Sequence, residues 1–160
     1  MNFVGHEIED FKVNAYHDGE TTEVSKKDVL GKWSIFFFYP ADFSFVCPTE
    51  LEALQDKYDD FKKADADIYS VSEDTEFVHK AWAEASEKIG KIKYNMLADP
   101  AGKLTQLTTW ESVVALMKFS GLFKPLNSFV NMVIVSALQT GSQAKIQLSQ
   151  ALTLLVSFNL

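Results

Sequence analysis

With 160 residues, 47% of them hydrophobic, the chain can bury one sizeable core, because single domains commonly run to ~100–150 residues, and one globular unit is expected. A formal net charge of -7 argues against nucleic acid or an anionic membrane as partner, since both would repel it, and leaves a small-molecule or protein substrate. The start Met1-Asn2-Phe3-Val4-Gly5 shows no secretory signal, no apolar run approaches the ~18 residues of a membrane span, and the one cysteine forbids an internal disulfide; a cytoplasmic protein is predicted.

In chain order, Phe11 to Val13 and Thr21 to Val24 flank the turn dipeptide Asp18-Gly19, which predicts an N-terminal hairpin. Trp33 to Tyr39 is an apolar and aromatic run interrupted only by Ser34, as expected of a central strand covered on both faces, and Pro40 ends it. After the loop Ala41 to Val46, the helical spacing of Leu51, Leu54, Tyr58 and Phe61 predicts a helix with Cys47 at its start and Pro48 in its first turn. Ile68 to Val71 reads as a second strand. Val78, Trp82, Ala85 and Ile89 predict a second amphipathic helix closed by Gly90, and Tyr94 to Ala98 a third short strand. Strands alternating with helices point to an α/β fold with a parallel-type sheet and right-handed crossovers, whose ligands sit at the carboxyl ends of strands. Cys47 lies just past such an end.

Composition then changes. Residues 1–106 hold 21 acidic residues and 12 lysines, whereas residues 107–160 hold 1 acidic residue and 3 lysines. The chain is therefore divided into a domain at 1–106 and a divergent tail at 107–160. Phe129 to Leu138 and Ala151 to Phe158 are apolar and almost uncharged, a pattern of aggregation-prone segments.

A lone cysteine is on its own compatible with a small buried hydrophobe. At the start of a helix, however, Cys47 faces unpaired backbone N–H groups and the positive end of the helix dipole, both of which favour the nucleophilic thiolate. Ser44, three residues earlier, can bring a hydroxyl near that sulfur, or can bond its own loop backbone. Pro40 can shield the thiolate from water.

The run Phe36-Phe37-Phe38-Tyr39-Pro40-Ala41-Asp42-Phe43-Ser44-Phe45-Val46-Cys47-Pro48-Thr49-Glu50 resembles the signature of the peroxiredoxin family, in which a proline, a Thr or Ser and a peroxidatic cysteine form the peroxide site. In this sequence those positions are Pro40, Ser44 and Cys47. Asp74, His79-Lys80-Ala81-Trp82, Lys91-Ile92-Lys93-Tyr94 and Ala98-Asp99-Pro100 extend the resemblance to the alkyl hydroperoxide reductase C type (typical 2-Cys), over about residues 1–106.

The resemblance implies a thioredoxin-like (peroxiredoxin) fold and a thiol-dependent peroxidase that reduces hydrogen peroxide and organic hydroperoxides in antioxidant defence. Cys47 would be the peroxidatic nucleophile, and a partner subunit's second cysteine would resolve its sulfenic acid as a disulfide. The resemblance further implies no bound cofactor or metal, an external flavoprotein disulfide reductase using a nicotinamide nucleotide, and an assembly from homodimer to decamer. Trp82 is assigned to packing near the site, His79 to a surface or packing position, and Glu50 either to orienting the loop or to favouring the helix dipole.

Two parts of the family pattern are missing: the chain contains no arginine and no second cysteine. Codons permissible for Asn131 to Phe158, read from the third base of each, can spell a family-like terminus with a Val-Cys-Pro followed by a stop across Phe158 and Asn159. The tail is thus read as out of frame after about Gln106, with loss of a segment carrying a strand hairpin and the arginine. The fold is expected to be incomplete on its C-terminal side, with a sheet edge left unpaired and activity impaired. The alternative is a non-catalytic, self-associating product of a peroxiredoxin gene. A thioredoxin-like disulfide reductase is disfavoured because Glu50 stands where a Cys-X-X-Cys motif needs its second cysteine.

Overall fold

The computed structural model describes residues 8–31, 33–44, 47–107 and 131–136. Strands β1 (Lys12–His17) and β2 (Glu20–Ser25) form the expected hairpin, with Lys12 opposite Ser25 and His17 opposite Glu20. Its two-residue turn needs positive φ at both positions, and Asp18 and Gly19 supply it at 46° and 93°. Ser25 ends β2 and opens a short helix α1 (Lys26–Val29) through a capping box, its backbone N–H donating to the Asp28 carboxylate at 2.8 Å.

Strand β3 (Trp33–Phe38) runs parallel to β4 (Ala66–Ser72), from Trp33 opposite Ala66 to Phe38 opposite Val71. Between them lie α2 (Cys47–Asp56) and α3 (Tyr58–Lys63). One continuous helix was expected here; the structure breaks it at Lys57, although Leu51, Leu54 and Phe61 all still face the core. Strand β5 (Asn95–Ala98) is parallel to β4 and follows α4 (Glu76–Ala85) and a 3-10 turn at Ile89–Lys91. Helix α4 therefore stops before Gly90. That glycine serves close packing instead, since a Cβ there would lie 2.9 Å from the Ala83 carbonyl oxygen. Helix α5 (Lys103–Leu107) follows, its first backbone N–H groups satisfied by the Asp99 carboxylate at 2.7 and 2.9 Å.

The sheet order is β2-β1-β5-β4-β3-β6, with β6 (Asn131–Ser136) antiparallel to β3. This corrects the expectation of an unpaired sheet edge: residues 131–136 of the tail cover that of β3. The Val133-Ile134-Val135 run has strong strand propensity, and a bare β3 edge offers it a row of unpaired N–H and C=O groups. The segment Ala151 to Phe158, expected to be aggregation-prone, lies outside the described residues.

Alternation along β3 divides the core in two. Ile35 and Phe37 pack with Leu51, Leu54, Phe61, Ile68, Trp82, Ile89 and Met96, while Phe36 packs with Phe11, Val24, Tyr69, Val71 and Leu97. Fully burying one such side chain stabilises by ~1.5–3 kcal/mol. The Phe36 ring also stacks on Tyr69 at 5.2 Å and meets the Phe11 edge at 6.1 Å. The rigid strand between these layers ends at Phe38 and delivers the next residues to the sheet's carboxyl end. No helix among the described residues is long and apolar enough to cross a membrane.

Candidate active site at the carboxyl end of the central strand

The Tyr39 backbone N–H donates to the Val71 carbonyl at 3.0 Å, so the ladder between β3 and β4 carries one residue past β3 before Pro40 releases the chain. Pro40 is exposed, Ser44 is half-buried, and Cys47 begins α2. The structure thus places Pro40, Ser44 and the backbone of Cys47 on one loop-to-helix segment, with the first residue of a ten-residue helix at the cysteine. Pro48, inside the first turn, has no N–H to leave unsatisfied. The Ser44 hydroxyl oxygen is buried and has no hydrogen-bond partner among the described residues, unlike a loop serine bonded to its own backbone. Phe45 and Val46 lie outside the described residues.

Asp42 is the centre of the loop's hydrogen bonding. Its side chain accepts from the Tyr39 hydroxyl at 2.7 Å and meets His79 Nδ1 at 2.7 Å, while its backbone N–H donates to Asp74 at 2.7 Å. The Ser72 hydroxyl also donates to Asp74, at 2.8 Å, which ties the loop to the end of β4. Burial, reinforced by the Asp42 carboxylate, raises the Tyr39 pKa well above its ordinary value, so this hydroxyl stays a donor. The Trp82 ring lies 6.2 Å from Tyr39 and 6.0 Å from Phe43, packing beneath the loop as its sequence position implied.

Beyond Cys47, α2 is anchored in turn. The buried Tyr94 hydroxyl donates to the Leu51 carbonyl at 2.9 Å, Lys88 pairs with Glu52 at 2.7 Å, and the Lys93 N–H donates to the Gln55 side chain at 2.7 Å. Fixed points therefore lie upstream and downstream of the cysteine: Asp42 five residues before it and Leu51 four residues after.

His79, expected at a surface or packing position, is fully buried and so takes the second of these. The inward face of α4 is Glu76, His79, Trp82 and Ala83; Val78 is only half-buried and Ala85 is exposed. The apolar spacing places Trp82 and Ile89 inward as expected but misses Glu76 and His79, polar residues that are buried on the same face. The sequence signal for this was the i, i+3, i+7 spacing of Glu76, His79 and Ala83, which puts all three on the face of Trp82. No group of three or more His, Cys, Asp or Glu side chains converges as a metal site among the described residues.

Comparison with known proteins matches the chain to the AhpC/TSA family over residues 4–113. The chain is 54% identical over 106 residues to alkyl hydroperoxide reductase C of Salmonella typhimurium and 50% identical over 106 residues to that of Bacillus subtilis. Each match covers 66% of this chain and 57% of the relative, so the chain matches little more than half the length of those proteins. Its structure is similar to the crystal structure of Enterococcus faecalis AhpC, with a TM-score of 0.69 and 42% identity over 98% of this chain and 95% of that one. Mycobacterium tuberculosis AhpC, at a TM-score of 0.64 and 24% identity over 93% and 91% of the two chains, shares the fold.

Proposed function

Because the chain belongs to the AhpC/TSA family, we propose that it is a thiol-dependent peroxidase acting on hydrogen peroxide and organic hydroperoxides, with Cys47 as nucleophile. The observation that carries this reading is the buried Ser44 hydroxyl, unpartnered among the described residues, three residues before a cysteine that opens a helix at the carboxyl end of β3. A peroxide oxygen would satisfy that hydroxyl, and the helix terminus would favour the thiolate. Pro40 would close the site against water once substrate is bound.

The Cys47 thiolate sulfur attacks the terminal peroxide oxygen. An S–O bond forms as the O–O bond breaks, the departing oxide takes up a proton to leave as alcohol or water, and Cys47 becomes a sulfenic acid. Since these 160 residues hold one cysteine, reduction of that sulfenic acid would fall to an external thiol or to another polypeptide. The family's flavoprotein reductase would require a disulfide that this chain cannot form within itself.

The lack of arginine removes a cation that the family pattern places at the thiolate, and a lysine is a poor substitute for a guanidinium fork. Slow, single-turnover reduction is the expected form of the activity. The reading of residues 107–160 as an out-of-frame tail belongs to the same proposal, supported by the fall from 21 acidic residues before it to 1 within it.

Stopped-flow mixing with hydrogen peroxide tests the proposal. Cys47 is expected to oxidise faster than a free small thiol at the same pH, with a sulfenic acid trapped by dimedone and none formed in Cys47→Ser. A rate no faster than the free thiol's would refute it.

A further inference from the structure

We propose that His79 is a positioning residue for the Cys47 site, locking the loop that precedes the cysteine to the centre of the sheet. This assignment rests on the peroxidase reading of Cys47. The His79 side chain is 0% exposed and its partner Asp42 1% exposed, so the contact between them is sealed from water. One ring nitrogen meets the Asp42 carboxylate at 2.7 Å and the other meets the Leu97 carbonyl at 3.2 Å. A backbone carbonyl can only accept, so Nε2 carries a proton, and a further proton lies between Nδ1 and Asp42. Leu97 sits mid-strand in β5, between Val71 of β4 and Ala15 of β1. The imidazole therefore bridges the loop to the most enclosed part of the sheet.

The loop needs such a tie. Phe43, directly after Asp42, has φ of 55°, a conformation that a bulky residue adopts only when its surroundings enforce it, and its side chain is 57% exposed. The enforcement comes from Asp42, held through both carboxylate oxygens and its backbone N–H. Other groups near His79 are already engaged: Tyr39 donates to Asp42, Asp74 accepts from Asp42 and Ser72, and Glu76 accepts from Asn14 at 2.9 Å. Release of His79 would leave Asp42 free to shift and Phe43 free to relax, and Ser44 and Cys47 would move with them.

Two substitutions separate positioning from bulk stability. An asparagine amide falls near the place of Nδ1 and can still donate to Asp42, whereas a glutamine amide reaches the place of Nε2 and can serve only Leu97. The second-order rate of Cys47 oxidation by hydrogen peroxide and the pH profile of Cys47 alkylation by iodoacetamide are measured on the full chain, with thermal unfolding alongside. His79→Asn is expected to keep the parental profile and most of the rate. His79→Gln is expected to slow oxidation by about 10- to 100-fold, the scale of an ångström-level misplacement of a reacting group, and to move the alkylation profile to higher pH. Asp42→Glu keeps the carboxyl group but displaces the loop by a methylene; it is expected to behave as His79→Gln does, and decides the matter should His79→Gln not fold. Identical alkylation profiles and rates in all folded variants would overturn the proposal. If the unsubstituted chain reacts with peroxide no faster than a free thiol, the peroxidase reading falls, and the alkylation profiles alone still decide whether His79 positions Cys47.

Discussion

Replacing Leu51 with alanine tests whether the cysteine-bearing helix is held by packing. Leu51 is 0% exposed and lies four residues after Cys47, in the cluster with Leu54, Phe61, Trp82 and Tyr94. Alanine is at least as good a helix former as leucine, so the helix itself loses nothing by the change. The cost is the lost transfer free energy of the side chain plus the cavity left behind, ~2–5 kcal/mol for buried leucines. The upper half of that range applies here, because the surrounding groups stand on strands and a second helix and cannot close in. A chain of this length shifts its unfolding midpoint by ~2–4 °C per kcal/mol, so a fall of about 7–20 °C is expected. Urea unfolding followed by far-ultraviolet circular dichroism, with the exposed Leu30→Ala as control, measures both changes. Leu30, 43% exposed, is expected to cost under ~0.5 kcal/mol. A loss below ~1 kcal/mol for Leu51→Ala with an unchanged urea slope would show that α2 does not depend on this contact.

Alkaline pH gives a second expectation. Burial raises the pKa values of Tyr39, Tyr69 and Tyr94 above the ordinary tyrosine value of 10.0, so the unfolded chain releases these protons before the folded one does. The stability they contribute is whole below pH 10.0 and is lost as pH rises from there towards the folded values, by up to ~1.4 kcal/mol per pH unit for each group. Phenolate absorbance should appear together with unfolding, and early titration of all tyrosines in folded protein would contradict this. For catalysis, repeated peroxide addition is expected to give one turnover and then sulfinic acid at Cys47, seen by intact mass, whereas a chain with the inferred frame and missing segment restored sustains turnover with a flavoprotein reductase. Equal sustained turnover by the present chain would show that the missing arginine and second cysteine are dispensable.

Much of the site was legible because its chemistry is local. The β3 run, Pro40 ending it and a helix opening at Cys47 all follow from residues within fifteen positions of one another. The hairpin was equally readable from Asp18-Gly19. What resisted reading depends on distant groups. The choice between surface and packing for His79 is made only when Asp42, 37 positions earlier, is placed against it. The break at Lys57 leaves the apolar spacing nearly intact, so periodicity alone could not detect it. The pairing of 131–136 with β3 is visible only once the fold shows that β3 has an edge to fill. The strand propensity of Val133-Ile134-Val135 that makes an exposed segment aggregation-prone also makes it a sheet partner.

The strand order sets a timetable for the chain as it leaves the ribosome. Strands β3, β4 and β5 sit side by side and each can join its predecessor soon after emerging, but β1 docks on β5, and Tyr16 meets Met96 only 80 positions later. At ~5–20 residues per second the hairpin, complete at Ser25, stands alone for about 4–14 s before Met96 emerges. During that interval Val13, Ala15 and Val24, all buried in the finished sheet, face solvent together with whatever else is in reach. The N-terminal hairpin is thus the first piece made and among the last installed, and its side chains are those most open to capture by a chaperone or by a neighbouring nascent chain.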